Sequence, residues 1–301
     1  MTGTEKCGAP GPQNTITDVD GLKVGQASDA QAKTGVTVIL PDAPAVCSVD
    51  VRGGGPGTRE TDLLAPETLV DHVNALVLAG GSVYGLGAAD GVAAVLGAAG
   101  TGFSLIDLPG VPVAPIVPAA ILFDLANGGD KEWGYTPPYS QLGKQALKNA
   151  GRKVDLGAAG AGTGARAGAY AGGLGSASFI TEDGIQIGAI AAVNSFGSPY
   201  LPGSKAFWAC PFEIEDEFGG RDWPAKARAQ DFPPDTKLGA PTGANTTICI
   251  VATNVSLSKA DAKRLAIMAQ DGLARAIRPA HGPTDGDVVF ALSTGRLDMQ
   301  K

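Results

Sequence analysis

Chemistry gathers at one junction of this 301-residue chain, where the polar run Gly243-Ala-Asn-Thr-Thr passes directly into the apolar Ile248-Cys-Ile-Val-Ala252. A partly β-branched apolar run bounded by turn residues reads as a strand buried on both faces, so the Thr246 hydroxyl at its mouth would be rigidly held. Such a hydroxyl can act as a masked nucleophile. It would attack the carbonyl of Asn245, and the freed α-amine would then serve as general base for the same hydroxyl, a recognised form of activated threonine. The plainer reading of this stretch, a turn followed by a β-favouring pair, is the one to beat. A second candidate is Asp285-Gly-Asp287, at the opening of another apolar run, Val288 to Thr294. Two residues apart in extended geometry, the carboxylates point to one side and could orient an ammonium group. An exposed Asp-Gly-Asp turn accounts for the same residues.

The composition narrows the field. A formal charge of −7 and the lack of any basic run argue against nucleic acid and anionic membranes as partners. Met1 to Pro12 is polar and loop-like, which suggests a flexible arm on a cytoplasmic protein without a signal peptide or membrane span. Cys7, Cys47, Cys210 and Cys249 are scattered without metal-type spacing, so reduced thiols and no metal or other cofactor are expected. Neither His72 nor His281 lies near a Ser or Cys nucleophile motif, which leaves His-based triads in the minority.

Glycine, 44 of the 301 residues, is at about twice its usual share. It clusters beside apolar runs, in Arg52-Gly-Gly-Gly-Pro-Gly57, Ala79-Gly-Gly-Ser82, Gly160-Ala-Gly-Thr-Gly164 and Ala171-Gly-Gly-Leu-Gly175, where backbones approach something closely. None has the spacing of a dinucleotide or Walker phosphate loop with its partner residues.

The positioning elements follow in order. Strands are expected at Leu22 to Val24, Val36 to Leu40, Ala45 to Val51, Asn74 to Ala79 and Ile185 to Val193, with a further apolar run at Ile116 to Phe123, while Ala158 to Ala161 and Leu174 to Ile180 flank a small-residue stretch. Helices are expected over Val83 to Leu96 and Gln141 to Ala150. Phe212 to Lys237, rich in charge and proline, reads as a surface excursion or flap. Ser258 and Asp261 form a capping box for a helix of roughly five turns whose apolar face carries Leu265, Met268, Ala269, Leu273, Ala276 and Ile277, stopped by Pro279.

Taken together, Arg52-Gly-Gly-Gly-Pro-Gly-Thr-Arg-Glu-Thr-Asp62, Leu78-Ala-Gly-Gly-Ser-Val-Tyr-Gly-Leu86, Gly160-Ala-Gly-Thr-Gly-Ala165, Gly173-Leu-Gly-Ser-Ala-Ser178, Val193-Asn-Ser-Phe-Gly197, Asn245-Thr-Thr-Ile248 and Thr284-Asp-Gly-Asp287 resemble the self-processing L-aminopeptidase/D-esterases, β-aminopeptidases and nylon-oligomer hydrolases. The resemblance runs from about Ile16 to Thr294, and seven motifs in order are specific where each alone is weak. It implies an α/β/β/α four-layer sandwich made as a precursor and cut between Asn245 and Thr246. Residues 1–245 would form a large subunit and 246–301 a small one within a single fold. By motif, Thr246 would be the nucleophile, Asn194 an oxyanion donor, Asp285 and Asp287 the holders of the new amine, and Tyr135 a pocket hydroxyl. The implied substrate is a small amide or peptide, with no cofactor, and the implied assembly a homo-oligomer such as a tetramer. Acidic residues around the cleft would favour amine-bearing substrates.

One departure stands out: where the family carries a lysine supporting the nucleophile, this chain has Ala169. Arg166 nearby is too basic to replace it as a base. Ornithine acetyltransferases share this type of architecture and an internal threonine nucleophile, so an acyl transferase remains an alternative. A non-catalytic homologue is another.

Overall fold

The computed structural model describes residues 7–106, 108–225, 234–237 and 245–299. In chain order the elements are β1 (Gly8–Ala9), β2 (Leu22–Asp29), β3 (Thr34–Pro41), β4 (Ala45–Val51), β5 (Thr58–Arg59), β6 (His72–Val73), β7 (Leu76–Ala79), α1 (Gly87–Ala98), β8 (Ala119–Ile121), α2 (Tyr139–Lys148), β9 (Arg166–Ala167), β10 (Tyr170–Ala171), β11 (Gly173–Thr181), β12 (Gln186–Asn194), β13 (Thr246–Val255), α3 (Lys259–Ala276) and β14 (Val288–Leu297).

Two sheets stack face to face. The larger has strand order β1-β11-β12-β13-β14-β4-β6, the smaller β2-β3-β7-β8-β5, and β9 pairs with β10 as a separate hairpin. Leu22, Val24, Ile39, Leu76 and Leu78 of one sheet and Ile190, Ile248, Ile250, Phe290 and Leu292 of the other fill the space between them. The outer face of the smaller sheet packs Val36, Val38, Val77 and Ala79 against Ala88, Val92, Leu142 and Ala146 of α1 and α2. Outside the larger sheet, Val251, Val289 and Ala291 meet Ala266 and Leu273 of α3. The result is the expected four-layer α/β/β/α sandwich.

The central pair explains why β13 lacks an alternating pattern. Along Thr246–Val255 nearly every residue is buried, because one face meets the opposing sheet and the other meets α3. β13 and β14 run parallel, with Ile248 opposite Val288. Parallel neighbours need a crossover, and α3 supplies it. Its start is fixed by the expected capping box: Ser258 Oγ accepts from Asp261 N at 3.2 Å, and the Asp261 carboxylate accepts from Ser258 N at 3.4 Å.

Some expectations shift. The buried stripe of α3 is Lys259, Ala262, Ala266, Gln270 and Leu273, while Met268 faces outward at 61 % exposure. The helix rotates because polar partners wait beneath it. Lys259 Nζ donates to the Val70 carbonyl at 3.0 Å, and Gln270 Nε2 donates to Asp50 O at 2.9 Å. The N-terminal arm is not wholly loose, since Gly8 and Ala9 pair with Thr181 and Ile180 on the edge of the larger sheet. Residues 1–6 lie outside the described part. The helix expected from Val83 begins as a 3₁₀ turn, Ser82–Leu86, before α1, and the run Ile116 to Phe123 contains only the three-residue β8. All four cysteines are free thiols. Among the described residues no helix is long and apolar enough to cross a membrane.

Phe290 is fully buried in the core between the sheets. Phe290→Ala should cost about 3–5 kcal/mol, read as a lowered denaturant midpoint at unchanged slope.

Candidate active site

The β13-α3-β14 unit brings the starts of both strands to one edge of the larger sheet. Asn245 forms a parallel bridge with Asp285 there, while antiparallel β12 ends at the same edge with Asn194 opposite Thr246. Thr246, Asn245, Asn194, Asp285 and Asp287 are thus drawn together, each at most 3 % exposed.

The geometry around the Asn245–Thr246 bond is specific. Thr246 Oγ1 contacts the Asn245 carbonyl oxygen in a short hydrogen bond, and that oxygen also accepts from Gly286 N at 2.9 Å. Gly286 has no room for a side chain, because a Cβ there would lie 2.7 Å from Thr246 Oγ1 and 2.8 Å from the Gly55 carbonyl. The glycine cluster that begins at Arg52 gains its meaning here. Gly53 N and Gly55 N donate to the carbonyls of Asp287 (3.2 Å) and Asp285 (2.7 Å). The chain 52–55 therefore lies flat against the Asp-Gly-Asp turn, and a Cβ at Gly53 would sit 2.3 Å from the Asp285 carbonyl oxygen. Gly81 N donates at 2.7 Å to the Asp124 carboxylate, so this glycine turn holds a side chain of the protein itself.

Both candidate aspartates are anchored by main-chain N–H groups. Asp285 accepts from Phe196 N at 3.2 Å and Gly282 N at 2.8 Å. Asp287 accepts from Thr247 N at 2.7 Å and from His281 N at 3.0 Å, and its second oxygen also lies 2.9 Å from His281 Nδ1. Burial pushes the Asp285 pKa above its ordinary value; neighbouring Asp287 adds to this, and the N–H donors partly offset it.

Asn194 ties β12 to two neighbouring stretches. Its Nδ2 donates to Phe123 O at 3.0 Å, and its Oδ1 accepts from Arg166 N at 2.9 Å. The Asn245 carbonyl takes a main-chain donor, Gly286 N, at 2.9 Å. Tyr135 is fully solvent-exposed, on the loop before α2, and is not brought to the cluster. Ala169 lies in the β9–β10 turn, on the wall of a cavity of about 290 Å³ that also takes in Phe123, Asp124, Arg166, Asn194 and Lys237. Acidic and basic groups therefore share the cleft, instead of the acidic surround expected from composition.

Lys237 is the residue that sequence reasoning missed. The stretch from Phe212 reads in sequence as a surface excursion or flap, yet its last residue turns inward, and Lys237 Nζ donates to Asn194 O at 2.9 Å and Asn194 Oδ1 at 3.1 Å. Three bonds hold the segment: Ala169 N to Asp235 O (2.8 Å), Ser198 Oγ to the Asp235 carboxylate (2.8 Å) and Lys237 N to Phe196 O (3.0 Å). Burial lowers the Lys237 pKa to about 7, with Arg166 adding repulsion and Asp285 opposing the shift. Residues 226–233 and 238–244, including Gly243 and Ala244 of the junction motif, lie outside the described part. Among the described residues no group of three or more His, Cys, Asp or Glu is placed to hold a metal.

Residues 14–301 match peptidase family S58, and the chain belongs to that family of peptidase-type hydrolases. It is 46 % identical over 293 residues to an uncharacterized aminopeptidase of Mycobacterium tuberculosis (strain ATCC 25618 / H37Rv), covering 94 % of this chain and 82 % of that one. It is 30 % identical over 294 residues to a 6-aminohexanoate-oligomer endohydrolase of Kocuria sp. (strain KY2), covering 94 % and 75 %. Among solved structures, the L-aminopeptidase D-Ala-esterase/amidase from Ochrobactrum anthropi, described as a variant of the Ntn hydrolase fold, superposes with a TM-score of 0.69 at 24 % identity, covering 97 % of this chain and 77 % of that one. A Burkholderia sp. β-aminopeptidase gives the same TM-score at 22 % identity, covering 96 % and 74 %. These last two likenesses bear on the fold.

Asp287→Ala would leave the buried Thr247 N–H without its acceptor. It should cost about 1–3 kcal/mol for that group alone, measurable by chemical denaturation.

Proposed function

We propose that this chain is a self-cleaving amide hydrolase, cut between Asn245 and Thr246, with Thr246 the nucleophile first on its own chain and then on substrate. The observation that carries the reading is the contact of the Thr246 hydroxyl with the Asn245 carbonyl, whose oxygen also takes the Gly286 N–H. A hydroxyl beside a carbonyl polarised by a fixed main-chain donor is arranged for addition, because the donor stabilises the charge that develops on oxygen.

In the first step Thr246 Oγ adds to the Asn245 carbonyl carbon and the C–N bond breaks, leaving an ester. Water then releases Asn245 as a carboxylate and Thr246 as a new N-terminus. In the second, the α-amine of Thr246 takes the proton of its own hydroxyl as Oγ attacks a substrate amide. Asp287, already on Thr247 N at 2.7 Å, and Asp285, bridged to Asn245, are close enough in the chain to orient that amine. Residues 1–245 and 246–301 would then stay together, since β13 keeps its ladders to β12 and β14. The named activities of the aminopeptidase and 6-aminohexanoate-oligomer endohydrolase relatives support a small amide or peptide as substrate. The mixed charge of the cavity, with Asp124 and Arg166 on its wall, fits a substrate carrying both an amine and a carboxylate.

Intact mass and a denaturing gel test the reading. The wild-type chain should give two fragments meeting at Asn245/Thr246, and Thr246→Ala a folded, uncut, inactive one. Gly286→Ala, whose Cβ would press on Thr246 Oγ1, should slow cutting by roughly a hundred- to a thousandfold, the range for disturbing one oxyanion donor. Cutting of Thr246→Ala at the same bond, or full amidase activity in that variant, would refute the assignment.

A further inference from the structure

The proposed cut raises a difficulty that the residues themselves can resolve. Before the chain is broken Thr246 has no α-amine, so the base that serves later turnover does not yet exist. Some other group must take the hydroxyl proton in the first step.

The nearby candidates are few. Asp285 and Asp287 each spend both carboxylate oxygens on main-chain N–H groups or on His281, and the His281 ring is itself engaged with Asp287. Arg166 stays charged at any ordinary pH. Asp124 is tied to Thr34 Oγ1 and Gly81 N. Lys237 differs from all of these. Its Nζ is held on the main-chain oxygen and the side-chain oxygen of Asn194, the residue paired across the ladder with Thr246. Both are bonds that a neutral amine can donate.

Resting on the reading above, we propose that Lys237 is the base for the self-cleaving step, and that it stays in the site afterwards as part of the large subunit. The neutral amine takes the Thr246 hydroxyl proton, directly or through one water, as Oγ bonds to the Asn245 carbonyl carbon. The resulting ammonium returns that proton to the Thr246 nitrogen as the C–N bond breaks. The products are the ester and a free amine, with no net gain or loss of protons. Water then completes the release of Asn245.

Physical setting and sequence position both fit this role. Burial lowers the Lys237 pKa to about 7, so the amine is substantially neutral at ordinary pH. Among the described residues, the ionisable groups that act on it or share its cavity are Asp285 from the turn before β14, Arg166 from β9 and Asp124 from the loop after β8, with Asp287 and His281 bonded to each other in the same turn as Asp285 and Asp235 on its own segment. Burial lowers the lysine's pKa, Asp285 opposes that shift and Arg166 adds to it. The segment is fastened to Ala169, Phe196 and Ser198, three points upstream of the cut, so breaking the chain at Asn245 leaves Lys237 anchored.

The test follows cutting of freshly synthesised chain, made in a cell-free system and quenched in denaturant, by intact mass from pH 5.5 to 9. Wild-type cutting should rise with pH and level off above about 7. Lys237→Ala should fold, as judged by circular dichroism, and cut at least a hundredfold more slowly, within the usual range for losing a general base. Lys237→Arg, which keeps the charge but cannot act as a base, should be equally slow. Added methylamine or ethylamine should restore cutting to purified Lys237→Ala precursor, whereas the same amines should do nothing for Thr246→Ala. Wild-type cutting rates in Lys237→Ala or Lys237→Arg would overturn the proposal while leaving Thr246 as nucleophile. So would a folded Lys237→Ala precursor that no amine rescues. A wild-type chain that is never cut at Asn245/Thr246 would instead remove the underlying reading.

Discussion

The site depends on one constraint, the parallel pairing of β13 and β14. Parallel strands present the same end to the same edge, so a residue at the mouth of one must sit beside the turn that feeds the other. Here that rule sets Thr246 against Asp285-Gly286-Asp287, with Ile248 opposite Val288 two residues further in. The crossover α3 makes the pairing possible, and its register depends on a capping box and on buried polar anchors to Asp50 and Val70. Chemistry at the edge is therefore fixed by packing some distance away.

Once the edge is formed, the cost of burying polar groups determines the arrangement within it. A carboxylate taken out of water must find donors, and both aspartates find them in main-chain N–H groups of the turn, of β13 and of the segment after β12. Those bonds tie three separate stretches to one another, so the carboxylates act as fasteners. The glycines at 53, 54 and 286 matter because the fastened backbones pass so close that side chains would part them.

Much of this was readable from the chain alone, for physical reasons. β13 announced itself because burial on both faces demands an unbroken apolar run. Asp285 and Asp287 were visible because strand geometry places residues two apart on one side, and Ser258 with Asp261 because a helix start leaves N–H groups to be capped. Lys237 was not readable. Its neighbourhood is charged and proline-rich, which ordinarily means solvent, and no periodicity in a segment can show that its last side chain folds back onto Asn194. His281 was equally hidden, since its role arises from a turn that folds it onto Asp287 six residues later. Tyr135 failed for the opposite reason: a motif correspondence assigned it a role, but the loop before α2 leaves its ring in solvent. Ala169 looked like a deficit in sequence, yet it lines the same cavity as Lys237 and its N–H holds the segment that delivers that lysine.

The proposed cut changes the electrostatics of the site it completes. Breaking the chain would create a second amine, at Thr246, across the ladder from the Asn194 that holds Lys237, whose pKa burial lowers to about 7. Two ammonium groups in one buried pocket repel each other, and the carboxylates that could balance them are already fastened to main-chain donors, with the Asp285 pKa raised by burial and by Asp287. Protonating either amine therefore disfavours protonating the other, and the two titrate as a coupled pair. Such coupling would weaken proton binding by both amines, and an uncharged amine next to the Thr246 hydroxyl is what the proposed nucleophile requires. Under the proposed cut, the second amine would thus help keep a neutral base available to the Thr246 hydroxyl.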